Sequence, residues 1–432
     1  MQKKANKIIN AWCMYDWAAS VYSLVITSSI FPIYYSNMAV NEQGGDVVRF
    51  FNWDIRNSVL FSYSLTFIFL FVAIINPLLT SIADYSGRKK LFMQFFCWLG
   101  GLACCSLAFF EKGMATYAIL MFVIAGIGYS GSWVFYNSFL PEITTSDRFD
   151  SVSAKGYAFG YVGSVILLIF NLLMIMMPEL FWNISKTLAS QLSFLSVGIW
   201  WIVFAQYTFY HLPKDSTSEK TNHNWIMNGF KELQKVWVQI KDLQSLKWFL
   251  LSFFMYNMGV QTTMYVATIF AEKELHLPSS NLIATVLILQ LIAIPGAMLF
   301  SYISSKFGNI KAIIVQLFVW CGICIGAYYV RNGIDFYVLA TVVGMVMGGI
   351  QSLSRATYAK LIPTHTHDHA SFFSFYEVTY NLSIVFGTFF YGFTEQLTGS
   401  ARNSVLVLGA FFMLSIVLIW RLQKTKQLQA TD

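Results

Sequence analysis

Three ionisable side chains, Asp16, Arg355 and Glu377, stand inside long apolar stretches of a 432-residue chain. A charged group in hydrocarbon costs at least about 2.5–3.5 kcal/mol, so such residues face protein or water and mark ion pathways or proton relays. Asp16 is followed by Ser20, Ser23 and Thr27 at i+4, i+7 and i+11, the spacing of one narrow helix face. Lipid does not tolerate an unpaired polar stripe, so this face reads as one wall of a transport pathway. Asp16 has no partner within its own segment and is the candidate proton carrier. It reads equally as a hydrogen-bonded carboxylate that caps a neighbouring helix or pairs with Arg355. Arg355 lies eight residues before Pro363, and Glu377 about seven after the next apolar stretch begins. At about 1.5 Å per residue both sit roughly 10 Å inside the same membrane face, which predicts that they pair. That pair either fixes two helices or frees Arg355 in one state to anchor a substrate carboxylate.

Other polar residues extend the cavity set. Asn257, Gln261, Tyr265 and Thr268 form a second stripe at i, i+4, i+8 and i+11. Gln351, Arg355 and Tyr358 share a face, as do Trp133 and Asn137. Any one of these is more often glue between helices than a ligand contact, but stripes on several helices together suggest a substrate cavity. The sequence carries no nucleophile-and-base constellation and no phosphate-binding Gly-rich loop, so neither an enzyme nor an ATP-driven pump is expected. No cofactor and no metal site is expected. His365, His367 and His369 alternate in a polar connection without fixed geometry, and the six cysteines lie in or beside apolar runs as packing residues.

The elements that must position these groups are membrane helices. Hydrophobic residues make up 56% of the chain and charged ones 11%, against about 25% charged in soluble domains. With about 20 apolar residues per crossing, twelve spans are predicted at 11–37, 57–83, 91–110, 114–139, 153–177, 187–212, 247–270, 280–304, 311–330, 335–361, 370–395 and 402–421. Of the 28 Lys and Arg residues, 20 fall in connections on one side and 7 on the other, with Arg355 inside a span. The positive-inside rule then places both termini in the cytoplasm. The net charge of +7 is thereby a topology signal, and no nucleic-acid partner is expected. No small-residue cleavage site follows the first apolar run, so that helix is expected to be retained. The polar linker, residues 213–246, separates a six-helix half at 1–212 from another at 247–432. Its second part sets Ile226, Phe230, Leu233, Trp237 and Ile240 on one face, which predicts an amphipathic helix at the interface or against the bundle.

The halves repeat weakly. Met14-Tyr15-Asp16 returns as Met255-Tyr256-Asn257. Asp84 to Gly87 with Lys90 aligns with Ser305 to Gly308 and Lys311. Tyr136 with Leu140-Pro141 aligns with Tyr358 and Ile362-Pro363. Six plus six parallel repeats is the plan of the major facilitator superfamily. The run Thr80-Ser81-Ile82-Ala83-Asp84-Tyr85-Ser86-Gly87-Arg88-Lys89-Lys90 resembles that superfamily's signature between its second and third helices, with Thr80 where a Gly is usual. The resemblance implies that Asp84 sits near a facing helix start, that Gly87 permits the turn, and that Arg88 and Lys89 clamp the cytoplasmic side as gating residues. It also implies that spans 1, 4, 7 and 10 line the cavity. A narrower match, carried by Asp16-Trp17-Ala18, Ser20 and Tyr22, by Tyr136-Asn137 with Leu140-Pro141, by Gly349 to Arg355 and by Phe372 to Glu377, is similar to the vacuole-effluxer-like branch. Ala19 replaces an Asn often found there. That branch includes fungal exporters of amino acids from the vacuole and many bacterial members.

The expected protein is therefore an all-α membrane transporter of the major facilitator fold, with twelve helices in two pseudo-symmetric bundles. It is expected to act as a monomer in a bacterial inner membrane, among membrane lipids, moving a small-molecule substrate with protons by alternating access. Proton-coupled efflux of amino acids through Asp16 is the first reading. An amphipathic or lipid-like solute, or a non-transporting scaffold or sensor on the same fold, are the others.

Overall fold

The computed structural model describes residues 2–41, 44–215 and 225–429. The polar stretch 216–224 with Lys220, and the side chains of Lys3, Lys4, Ile226, Thr268, Lys273, Lys424 and Lys426, lie outside the described residues. The chain is helical almost throughout, because only a helix or a closed barrel satisfies every backbone group within lipid. The helices are α1 (Gln2–Val21), α2 (Ile30–Met38), α3 (Asn57–Ser86), α4 (Lys89–Ser106), α5 (Ala115–Ser138), α6 (Leu140–Ile143), α7 (Phe149–Met176) and α8 (Lys186–His211). They continue as α9 (Trp225–Asp242), α10 (Gln244–Leu275), α11 (Ser279–Phe307), α12 (Asn309–Tyr329), α13 (Gly333–Leu361), α14 (His369–Thr398) and α15 (Ala401–Gln429). The long connection before α3 folds into a hairpin of β1 (Val47–Phe50) and β2 (Trp53–Arg56), with Val47 opposite Arg56.

Among the described residues, ten of the expected spans are long and apolar enough to cross a membrane. The seventh and eleventh, α10 and α14, have 32 and 30 residues but are not among those ten. They are the helices that carry Asn257 with Gln261, and Glu377 with Asn381. Polar residues buried between helices thus lower the apolarity by which a span is recognised.

The first span departs from a uniform helix. A π turn, Tyr22–Thr27, follows α1, and the helix resumes only at Ile30. Ser23 and Thr27 lie in that wider turn, which moves them off the strict α-helical face that begins at Asp16. Asp16 is fully buried, whereas Ser20, Ser23 and Thr27 are partly exposed.

Packing divides the chain into two compact units. The first comprises residues 1–72, 88–136 and 159–215. In it Thr208 donates to the Ala11 carbonyl at 2.7 Å and Trp200 to that of Trp17 at 3.2 Å, joining α8 to α1. Gly128 brings α5 onto α4, where a Cβ would stand 2.5 Å from the Gly100 nitrogen. The second unit comprises residues 73–87, 137–158 and 216–432. It therefore holds the end of α3, all of α6 and the start of α7 together with the C-terminal helices. Its α10 and α15 are joined by Ser252 and Ser415, whose hydroxyls lie 2.9 Å apart. Gly344 of α13 packs on α11, where a Cβ would lie 2.7 Å from the Leu289 carbonyl.

The amphipathic helix α9 belongs to the second unit. Val236 and Ile240 are buried, and Trp237 stacks on Phe375 at 5.5 Å. Lys235 bonds Glu232 at 2.6 Å and Asp368 at 3.0 Å, so α9 grips the start of α14.

Candidate functional site

In the first unit, the buried Asp16 carboxylate accepts a hydrogen bond from the Tyr136 hydroxyl. Tyr136 is held on several sides. Trp12 stacks on its ring at 4.4 Å and donates from Nε1 to its carbonyl at 2.9 Å. Tyr15 lies 5.2 Å away, and Trp133 meets the ring edge-on at 5.1 Å. The absent side chain of Gly160 admits α7 beside α1, where a Cβ would stand 2.5 Å from the Ser20 hydroxyl and 3.3 Å from the Asp16 carbonyl. Asp16 is thus a carboxylate in an aromatic enclosure, with its partner donated by α5.

In the second unit, Arg355 and Glu377 are brought together through a third residue. Asn137 donates from Nδ2 to Glu377 Oε1 at 2.7 Å and accepts from Arg355 Nη1 at 3.3 Å. Its amide turns an acceptor to the cation and a donor to the anion, the arrangement that its chemistry allows. Arg355 is fully buried. Its Nε donates to the Ser153 hydroxyl and its Nη2 to the Ser153 carbonyl, both at 2.9 Å. The guanidinium lies 4.3 Å from the Tyr157 ring centre. Ser153 in turn donates to the Ser352 carbonyl at 2.8 Å. The oxygens that accept from Arg355, and the Asn137 amide that donates to Glu377, replace water that these buried charges have lost, without which the charges would not be tolerated.

Two further layers join the same sequence segments. Asp84, at the end of α3, accepts from the backbone nitrogens of Ala370 at 3.3 Å and Ser371 at 2.7 Å, and from the Ser371 hydroxyl at 2.7 Å. It therefore caps α14, satisfying N–H groups that the helix leaves open and placing a negative charge at the positive end of its dipole. Gly87, at φ 67°, makes the turn that follows, and the exposed Arg88 precedes Lys89 at the start of α4. Asp150, near the start of α7, is buried and meets Lys360 Nζ at 2.8 Å, Asn309 Nδ2 at 2.7 Å and the Ser304 hydroxyl at 2.8 Å.

The remaining expected cavity residues are mostly engaged with neighbouring helices. Asn257 donates to Ser383 at 2.5 Å, and Gln261 donates to Asn257 at 3.2 Å. Gln351 reaches the Met264 sulfur at 3.4 Å, and Tyr265 is partly exposed. Tyr358 is fully buried and donates to the Phe372 carbonyl at 2.5 Å, which makes it a brace between α13 and α14. Tyr136, Ser153, Tyr157 and Asp150 escaped the sequence reading as site residues. Tyr and Ser are ordinary in spans, and Asp150 stands where a helix cap would. The signal available was the adjacency of Tyr136 to Asn137, and Ser153 with Tyr157 at i, i+4.

The family model described as "Vacuole effluxer Atg22 like" matches residues 4–431. An uncharacterized MFS-type transporter, YxiO of Bacillus subtilis, is 32% identical over 421 residues, 97% of this chain and 95% of that protein. Autophagy-related protein 22 of Kluyveromyces lactis is 22% identical over 396 residues, 84% and 79% of the two chains. Among solved structures, the FucP transporter in its outward conformation aligns with TM-score 0.70 at 12% identity, covering 96% of this chain and 98% of that one. The human organic anion transporter MFSD10 aligns with TM-score 0.72 at 11% identity, covering 96% and 99%. The fold is thus the all-α major facilitator fold, and family and fold are those of membrane transporters, not enzymes. With the signature at Asp84 to Lys90 and the buried residues 16, 137, 355 and 377 in place, the chain belongs to the Atg22-like vacuole effluxer family.

Proposed function

We propose that this chain exports a small organic solute, amino acids first, by proton-coupled alternating access across a bacterial inner membrane. Both termini lie in the cytoplasm, and the chain acts as a monomer of two six-helix halves, 1–212 and 247–432, joined by the linker 213–246. The observation that carries the reading is the bridging of Arg355, Asn137 and Glu377. Asn137 and Ser153 come from the first six spans, and Arg355 and Glu377 from the last six. A cycle that opens the cytoplasmic side must part them, together with Asp84 from Ser371 and Asp150 from Lys360. Arg355 then parts from Asn137 and Ser153 and becomes an anchor for a solute carboxylate, whose charge replaces what they supplied. Asp16, with its Tyr136 donor, is the proton carrier.

Labelled amino acids in pools, offered to proteoliposomes preloaded with the same unlabelled pool, test the substrate class. Counterflow of at least one pool by wild type, reduced at least tenfold in Arg355→Met with the protein still folded, supports the reading. No counterflow of any pool by folded wild type would remove amino acids and favour a lipid-like solute or a non-transporting role.

A further inference from the structure

The linker helix α9 presents three different sides. At about 100° per residue, the buried Val236 and Ile240 share one side with the half-buried Leu233, and this side packs on the C-terminal unit. Lys231, Glu232, Lys235 and Asp242 share a second, polar side. Between the two lies a third, where Trp237, Phe230, Met227 and Val238 fall within roughly 100° of one another. Their exposures of 46%, 52%, 59% and 51% leave this third side uncovered. Gln234 and Lys241 also lie on it, and the Lys241 ammonium stands 5.1 Å from the Trp237 ring centre, its stem laid along the apolar surface. A helix built only to pack on the bundle needs one apolar side. This helix has two, next to each other, and both are dry only in the corner between the bundle and lipid.

The neighbour of α9 names what covers the third side. Trp237 stacks on Phe375 of α14 at 5.5 Å. Phe375 starts a stripe that continues through Phe386, Phe389 and Phe393 at i+11, i+14 and i+18, on the side of α14 opposite the buried Glu377 and Asn381. The last three are exposed, as side chains that face lipid tails are. The uncovered side of α9 is thus continuous with the lipid-facing surface of a membrane helix. Phe375 lies six residues after the start of α14, roughly 9 Å along it, within the depth of about 5–10 Å to which an interfacial helix buries its apolar face. The charges agree with that place. Lys231 and Lys247 are exposed, and their side chains have no partner among the described residues. Of the two acids on α9, Glu232 is bonded to Lys235 at 2.6 Å and Asp242 stands on the polar side. We infer that α9 lies on the bilayer leaflet at the linker side, with Phe230, Met227 and Val238 among the upper acyl chains and Lys231 and Lys241 against anionic lipid headgroups. Through Lys235 on Asp368 and Trp237 on Phe375, this contact reaches the start of α14 that Asp84 caps. The inference is independent of the solute that is transported and of Asp16.

The test uses full-length protein, one copy to a nanodisc, in phosphatidylcholine alone or in an equal mixture with phosphatidylglycerol, while amide hydrogen exchange is followed peptide by peptide. In wild type, exchange within α9 is expected to slow at least about fivefold in the anionic discs at low salt, the order that one surface-bound lysine gives, and the difference to shrink at high salt. The double variant Lys231→Gln with Lys241→Gln is expected to exchange alike in the two lipids. Phe230→Asp is expected to lose most of the protection in both, and Val238→Asp serves if Phe230→Asp does not fold. Equal exchange of wild type in the two lipids, or protection unchanged in these variants, would overturn the assignment. So would protection that arises only in discs holding two copies, which would give this side of α9 to a second copy of the chain.

Discussion

At the scale of single residues, the contrast between Asp16 and Arg355 shows what a membrane protein does with a charge it has buried. Asp16 accepts from the hydroxyl of Tyr136 inside an aromatic enclosure, whereas Arg355 donates to Ser153 twice and to Asn137, with its guanidinium against the Tyr157 ring. Removing one partner of a buried ionic network costs about 3–5 kcal/mol, because the other charge is left uncompensated. Glu377→Ala and Arg355→Ala should each lower thermal stability strongly. The double variant should be more stable than the sum of the two losses implies, as a double-mutant cycle would show. Tyr136→Phe should leave the fold intact and slow proton-coupled flux, while solute exchange at equal pH on both sides persists. Equal loss of both modes would make Tyr136 structural. Asp16, Arg355 and Glu377 were legible in the sequence because a charge among apolar residues is costly and stands out. Ser153 and Tyr157 were not, since their types are common in spans and only the fold shows that Arg355 lies between them.

At the scale of elements, charged side chains at the ends of helices join one helix to the next. Asp84 caps α14 through two backbone nitrogens, and α9 holds the same helix start through Lys235 and Trp237. A lost cap costs about 0.5–2 kcal/mol. Asp84→Ala should therefore lower stability by that amount and raise the labelling rate of a cysteine placed at Ser374, which is buried beside the cap. An unchanged labelling rate would confine Asp84 to a local cap. The Asp84 to Gly87 turn was legible because the run from Thr80 to Lys90 resembles the superfamily's signature. The π turn at Tyr22–Thr27 was not. No Pro or Gly in Tyr22–Thr27 announces it, and it moved Ser23 and Thr27 off the face predicted for them. Asp150 and its partners were hidden for a similar reason: Lys360 reads as a topology signal until Asn309 and Ser304 are seen around the same carboxylate.

At the scale of the molecule, twelve hydrophobic segments and an acid-and-basic turn were enough to read the fold class, since lipid leaves a chain few other solutions. Two of those segments, α10 and α14, are polar for membrane helices, and that polarity is spent on Asn257, Gln261 and Glu377. Proton-coupled transport through Asp16 is the claim on which the functional account turns. Its most direct test is to record internal pH in proteoliposomes with an enclosed dye while amino-acid pools are added, for wild type and Asp16→Asn. The account predicts a pH change in wild type that depends on one pool and disappears in Asp16→Asn, with solute exchange retained. Solute movement without any pH change, the same in both proteins, would contradict it and leave Asp16 a structural partner of Tyr136.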